Sequence, residues 1–374
     1  MRIKIIISIC VVFLSGCIEL YNPEGVEEIS DLLVIEGTIT DNESVFVLRR
    51  SVGLSETLTG TETVDDAIVY VEKDNGEQLP GIFQKNGKYS VQTGELNAEM
   101  KYRLYVKIGE DEYRSNFLSP LYTAEIDSIT YSKEGKEEPV NFYLYTHDPD
   151  DGSKYFRWSF DEIWEVHANL FANYGYLTNE PEYFYLHTPQ NIHYCWGRDH
   201  SKSILLESTN SLSENVIYQK KINEIQPRSD KLSVLYYLLV KQNQIRKEAY
   251  DYLYNLQKNV EQSGSLFAPI PSEVIGNVKC LTNDLPVIGY IEVSKTTMKE
   301  VFLPNETLQY YEPTEGLCVD VNEYDSYFAH HILYTYLFVE PGFPTQYAPI
   351  RCVDCRRKEK ASKDRPDFWP NTHY

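Results

Sequence analysis

Positive charge is what this sequence has least of. Lys and Arg number 35 against 56 Asp and Glu, a formal charge of −21 over 374 residues. A surface so acidic repels polyphosphate, which excludes nucleic-acid binding through a general basic face. Long apolar runs are missing as well. Beyond the N-terminal segment none reaches the roughly eighteen residues of a spanning helix, so no transmembrane helix is expected. No G-x-S-x-G, H-E-x-x-H or phosphate-cradling glycine loop occurs. Nothing therefore argues for an enzyme, a cofactor or a resident metal. Internal repeats and low-complexity runs are also lacking. What is plentiful is tyrosine: 31 Tyr with 15 Phe, beside only 3 Met. Apolar residues at 42% and charged residues at 24% are ordinary and exclude wholesale disorder. Tyrosine at this level, with strand-length apolar runs, favours a β-rich protein.

The N-terminus carries an address. Arg2 and Lys4 are followed by the apolar stretch Ile5 to Leu14, then by Leu14-Ser15-Gly16-Cys17. The order of charge, short apolar run, small residues and cysteine is that of a lipoprotein signal with a lipobox. Residues 1–16 are expected to be removed, leaving Cys17 as the lipidated (palmitate-type) first residue and the membrane contact. Acyl chains anchor a protein without spanning the bilayer, each buried methylene contributing about 0.8 kcal/mol. Residues 17–31 hold Glu19, Glu24, Glu27, Glu28 and Asp31 with Pro23 and Gly25, and read as an acidic tether.

From 32 to 118 the pattern is short strands and tight turns. Tyr102, Leu104, Val106 and Ile108 alternate with Arg103, Tyr105 and Lys107, the period of a half-buried strand. Asp74-Asn75-Gly76 and Asn86-Gly87 supply the positive φ that hairpin turns need. About seven strands at this spacing predict a β-sandwich, immunoglobulin-like or transthyretin-like. A larger β-rich domain is expected over 126–374. In it Asn141 to Thr146, Lys154 to Phe160, Val287 to Val293 and His331 to Val339 read as strands. One long helix is predicted at about 231–262, because Leu232, Leu235, Leu239, Ile245, Ala249, Leu253, Leu256 and Val260 recur mostly at steps of three and four. Ser229 and Asp230 can cap its start and Ser263-Gly264 can end it.

Several stretches resemble one family. They are Leu33-Val34-Ile35-Glu36-Gly37, Asp66-Ala67-Ile68-Val69 and Gly87-Lys88-Tyr89 in the first part, then Gly276-Asn277-Val278 and Ile288-Gly289-Tyr290. Cys352-Val353-Asp354-Cys355-Arg356 with Pro366-Asp367-Phe368-Trp369 is the most specific of them. The chain is similar to the Bacteroidetes lipoproteins catalogued as domain of unknown function 4249. In place of the glycine-rich turn expected between the two C-terminal motifs stands Lys358-Glu359-Lys360-Ala361-Ser362. The resemblance implies an outer-membrane lipoprotein, on the periplasmic face or the cell surface, that accompanies a TonB-dependent receptor. It implies no catalytic residues.

Outside the leader, Cys195, Cys280, Cys318, Cys352 and Cys355 are disulfide candidates in an oxidising compartment, enough for two bridges. A redox role for the Cys352–Cys355 pair, or a zinc site of Cys318 with His330 or His331, is the less favoured reading. His147-Asp148-Pro149-Asp150-Asp151-Gly152 offers three carboxylates but not the spacing of a calcium loop, and reads as a solvated turn. Asp161, Glu162 and Glu165 are the carboxylates from which a glycoside hydrolase would draw its acid pair. Tyr174-Gly175-Tyr176 and Tyr183-Phe184-Tyr185, with Trp158, Trp164 and Trp196, read either as strand core or as a docking face. The function expected is a non-enzymatic partner of a TonB-dependent transporter. A cell-surface adhesion lipoprotein or a hydrolase are the alternatives.

Overall fold

The computed structural model describes residues 31–51, 62–170, 192–262, 276–308 and 346–371, with short strands at 174–177, 182–185, 322–323 and 335–338. The chain is mainly β. The first part runs through β1 (Leu33–Ile39), β2 (Asn42–Arg50), β3 (Ile68–Lys73), β4 (Gln78–Lys85), β5 (Lys88–Gly94), β6 (Tyr102–Ile108) and β7 (Asp111–Ser115). The turns fall where Asn-Gly stands, with Asn86 at φ 51° and Gly87 at φ 70°, the left-handed region a two-residue hairpin demands. β4 folds the sheet over on itself. Its first half pairs with β3, Tyr70 opposite Pro80, and its second half with β5, Ile82 opposite Ser90. Two layers thus face each other in a sandwich-like arrangement, closing on Ile35, Phe46, Leu48, Val71, Tyr89 and Leu104.

Both edges of this sheet are supplied from much later in the chain. β17 (Val278–Cys280) pairs with β7, and β18 (Glu292–Val293) lies parallel to β1. The segment between them explains two motifs noted in the sequence. A Cβ on Gly276 would stand 1.8 Å from the Gly289 carbonyl oxygen, and one on Gly289 would stand 2.4 Å from that of Ile35. Three backbones pass too closely for any side chain. Asn277 stands in for a strand neighbour: its Nδ2 donates to the Ile291 carbonyl and its Oδ1 accepts from the Ile291 N–H, both at 2.8 Å.

The second half is also layered. β8 (Ile126–Ser132), β9 (Val140–His147) and β15 (Val216–Ile225) form a three-stranded sheet. It covers a six-stranded one of β10 (Tyr155–His167), β13 (Tyr194–His200), β14 (Leu205–Ser208), β16 (Leu235–Gln244), β19 (Thr297–Pro304) and β23 (Ala361–Ser362). Phe142, Leu144, Phe156, Trp158, Tyr236 and Leu238 fill the space between. A further sheet holds β11 (Tyr174–Leu177), β12 (Glu182–Tyr185), β20 (Asn322–Glu323), β21 (Thr335–Phe338) and β22 (Gln346–Pro349).

The long helix expected over 231–262 is corrected. A 3-10 turn at Asp230–Leu232, capped by the Ser229 hydroxyl, leads into strand β16, and the helix α1 spans only Lys247–Gln262. The apolar run Val234-Leu235-Tyr236-Tyr237-Leu238-Leu239-Val240 fills both faces of a covered central strand. Such a run mimics helical spacing when read by apolar positions alone. The Ser263-Gly264 stop lies outside the described residues, as does residue 30 and everything before it, with the leader, Cys17 and the tether.

The two halves meet at a polar seam. Arg246 bonds the Glu292 carboxylate and the Ser119 carbonyl, while Gln244 accepts from the Ala124 N–H at 2.8 Å. Thr40, at the end of β1, meets Thr296 at 2.9 Å, and Thr296 in turn accepts from Asn243 Nδ2 at 2.8 Å.

Candidate functional site

Strand β10 carries all three candidate carboxylates, and the pleat decides their fate. Residues two apart share a face, so Glu162 points one way and Asp161 and Glu165 the other. Glu162 and Glu165 therefore cannot flank one substrate bond. Glu162 enters the core between the sheets, where Tyr236 donates to its Oε2 at 2.7 Å and Lys231 pairs with its Oε1. The Lys231 ammonium also lies 4.8 Å from the centroid of the Trp164 ring. Burial, then the charge of Glu162, pushes the Tyr236 hydroxyl well above its ordinary value, so it stays a donor. Asp161 sits on the outer face, paired with Lys241 at 2.6 Å.

Glu165 is the centre of the densest polar group. Its side chain is fully buried, with Oε1 2.6 Å from His167 Nε2 and Oε2 accepting from Trp369 Nε1 at 2.7 Å. Around it His167 stands edge-on to Tyr194 with ring centroids at 4.8 Å, and His193 lies 5.4 Å from His167. Trp369 comes from the C-terminal Pro366-Asp367-Phe368-Trp369 motif and packs with Trp196, Leu235 and Tyr237. Chemically, a buried carboxylate against an imidazole can hold or share a proton; here it also locks the chain terminus to the sheet face.

The tail is brought there by sulfur and by a short strand. Cys195 on β13 is bonded to Cys355, 160 residues away, and Cys352 is disulfide-bonded too. Cys280 is corrected from the candidate set: its thiol is free, half-buried on edge strand β17 of the first sheet, 3.3 Å from the Thr282 hydroxyl. Cys318, His330 and His331 lie outside the described residues. β23 pairs Ala361 with Gly197 and Ser362 with Trp196. Lys360, at the turn before it, holds φ 56°, a left-handed conformation that glycine takes most easily, and its ammonium pairs with Asp199. Desolvation raises the Asp199 carboxyl, but the Lys360 hydrogen bond, the His200 N–H and the charges of Lys360 and Lys202 together hold it below the usual range.

The other candidates are placed as follows. Trp158, Trp164 and Trp196 are core residues, each at most 5% exposed. Gly197 exists to admit Trp164, whose ring would be 2.1 Å from a Cβ there. Tyr174 pairs with Tyr185 and Tyr176 with Tyr183 across a hairpin of β11 and β12. In the 147–152 turn Asp148 is spent internally, its Oδ2 accepting from Gln244 Nε2 at 2.6 Å and from the Gly152 N–H at 2.9 Å. Among the described residues no group of three His, Cys, Asp or Glu side chains is arranged to hold a metal. A groove of about 440 Å3 opens on the first sheet where β4 leaves β3, lined by Ile68, Tyr70, Pro80, Gly81 and Phe83. Its lining holds no carboxylate, imidazole, ammonium or guanidinium. Sequence reading missed His167, because the strand expected there ends at Phe160, and His193, which only the β10–β13 pairing, with His167 opposite Tyr194, brings beside His167.

Comparison with known proteins adds a family and little else. The model of the family described as Domain of unknown function (DUF4249) matches residues 18–300. No curated protein matches the chain. Among solved structures, a mutant of Salmonella alpha-2-macroglobulin aligns with 76% of this chain and 15% of that one, at 10% identity and TM-score 0.16. The chain thus spans a small part of that protein, and a likeness so low carries no argument about fold or function.

Proposed function

Because the chain belongs to the DUF4249 family, which brings no activity with it, we propose a function from the chain's own features. It is a lipid-anchored lipoprotein of the bacterial outer membrane, tethered through Cys17. It works without catalysis beside a TonB-dependent transporter, as a lid, ligand-capture module or assembly partner. The observation that carries the exported setting is the Cys195–Cys355 disulfide under the C-terminal motif. Such bonds persist in oxidising compartments and are rare in the cytosol. It agrees with the Leu14-Ser15-Gly16-Cys17 lipobox, an independent feature at the other end of the chain. The carboxylates a hydrolase would need are engaged by Lys231, Tyr236, His167 and Trp369 within the fold, which favours the non-catalytic reading. The transporter itself is supported only by the family resemblance of the sequence.

The test is affinity purification of the tagged protein from gently solubilised outer membrane, with and without Cys17→Ala. The expected result is a co-purifying TonB-dependent receptor with the native chain, and unprocessed, unlipidated precursor with the variant. Labelled fatty acid appearing equally on the variant would overturn the anchor. Absence of any such receptor, with nutrient uptake unchanged on deletion, would overturn the transporter.

A further inference from the structure

Among the described residues every half-buried arginine but one reaches a carboxylate, and the exception is informative. Of those half-buried among the described residues, Arg49, Arg50, Arg103, Arg114 and Arg246 each reach a carboxylate. Arg157, in the middle of β10, meets no carboxylate and makes no side-chain hydrogen bond among the described residues. The side chain is half-buried with its nitrogens in reach of solvent, and in a chain with 56 carboxylates none of the described ones is set against it. Such an exception is what a site reserved for a ligand looks like.

Its place in the fold supports this. Strand alternation sets Tyr155, Arg157 and Ser159 on one face, about 7 Å between successive side chains. The hydroxyls of Tyr155 and Ser159 also make no hydrogen bond among the described residues. Register puts Leu206 on one side of Arg157 and Asn243 on the other. Asn243 is held through Thr296 to Thr40 of the first half, so this row lies at the seam between the two halves. Burial pushes the Arg157 guanidinium below its ordinary value, and the one charge that acts to restore it is that of Glu36 on β1. Glu36 is itself engaged by Arg49 at 3.3 Å.

We propose that Arg157 anchors an oxyanion-binding site at the seam between the two halves, taking the carboxylate or phosphate of a small molecule, with Tyr155 and Ser159 as neighbouring neutral donors. The planar guanidinium matches two oxygens of such a group at once, a geometry that an ammonium does not offer. A single negative group suits the site better than a polyanion, since Glu36 stands near and the whole protein is acidic. The proposal is independent of the transporter reading, because the site is assigned from the chain's own groups.

The experiment uses the purified full-length chain. It is titrated by calorimetry with sodium acetate, sodium citrate and sodium phosphate, each against sodium chloride at equal ionic strength. The expected result is saturable binding of at least one oxyanion but not of chloride, weakened at least tenfold in Arg157→Gln. Arg157→Lys, which keeps the charge and loses the fork, also weakens it, while Glu36→Gln tightens it. Preference for acetate and citrate assigns a carboxylate ligand, and preference for phosphate a phosphate one. If Arg157→Gln does not fold, Arg157→Lys and Glu36→Gln carry the comparison. Absence of saturable binding by all three salts, or equal affinity in the native chain and in the Arg157 and Glu36 variants, overturns the proposal.

Discussion

The two halves of this molecule bury different things. Among the described residues of 33–115 the buried polar side chains are the hydroxyls of Ser44, Ser90, Thr93 and Ser115, among hydrocarbon and rings; the first sheet's buried carboxylate, Glu292, stands on the late strand β18 at the seam. The second half buries two carboxylates on its central strand, Glu162 and Glu165, with Gln242, Gln244 and Asp354 besides. The first half is assembled mostly from neighbouring hairpins. The second is assembled from partners far apart in the chain: Tyr236 with Glu162 across 74 residues, Cys195 with Cys355 across 160, Trp369 with Glu165 across 204. A hydrocarbon core tolerates exchange of one apolar shape for another, whereas a buried ionic group must keep its partners. The second half therefore gains specificity of pairing and is the more fragile to single changes.

The largest effect that would break or sharpen this contrast is expected at Glu162. Glu162→Ala leaves the Lys231 ammonium and the Tyr236 hydroxyl without their acceptor, and should cost about 3–5 kcal/mol. Leu104→Met in the first core, a volume-conserving change, should cost under about 1.5 kcal/mol. Denaturant unfolding followed by far-UV circular dichroism measures both, since strands of the two halves contribute to it. Equal losses would dissolve the comparison.

Next comes the sulfur link. Cys355→Ser opens a closure spanning 160 residues, and a lost native disulfide costs roughly 2–5 kcal/mol. Exchange protection should fall first around β13, β23 and the Trp369 motif, while β1 to β7 keep theirs. Uniform loss of protection across both halves would show that they unfold as one unit.

The smallest effect lies on the surface of the three-stranded sheet. The hydrogen bond that the His147 imidazole donates to Asp127, then the Asp127 charge, raises the imidazole above its ordinary value. Stability gained from a raised folded-state value is fully present below the ordinary value of 6.5 and is lost as pH rises through the raised one. An NMR titration should place His147 above 6.5, and Asp127→Asn should bring it down without altering the fold. An unshifted His147 in the native chain would contradict the 2.8 Å contact between the two side chains.

Legibility in the sequence followed the same divide. The hairpins at Asn75-Gly76 and Asn86-Gly87, and the alternation from Tyr102 to Ile108, were readable because turn chemistry and period two are local. The stretch 231–246 reads as helix but forms a 3-10 turn and a strand, since a central strand covered on both faces loses its alternation and Leu232, Leu235 and Leu239 then fit a helical step. Glu165 could be picked out as a carboxylate of interest. That it would meet His167 and Trp369, and turn its back on Glu162, could not.

By itself the sequence determined the β class, the turn positions, the family and the acidic character, because each rests on residue type and on neighbours within a few positions. Only the tertiary structure decided that β17 and β18 complete the first sheet, that Cys280 stays free while Cys195 takes Cys355, and that Arg157 meets no carboxylate among the described residues at the seam. The reason is physical. Local propensity acts through backbone sterics and the period of one strand, whereas pairing across tens or hundreds of residues is chosen by which burials and hydrogen bonds can be satisfied together.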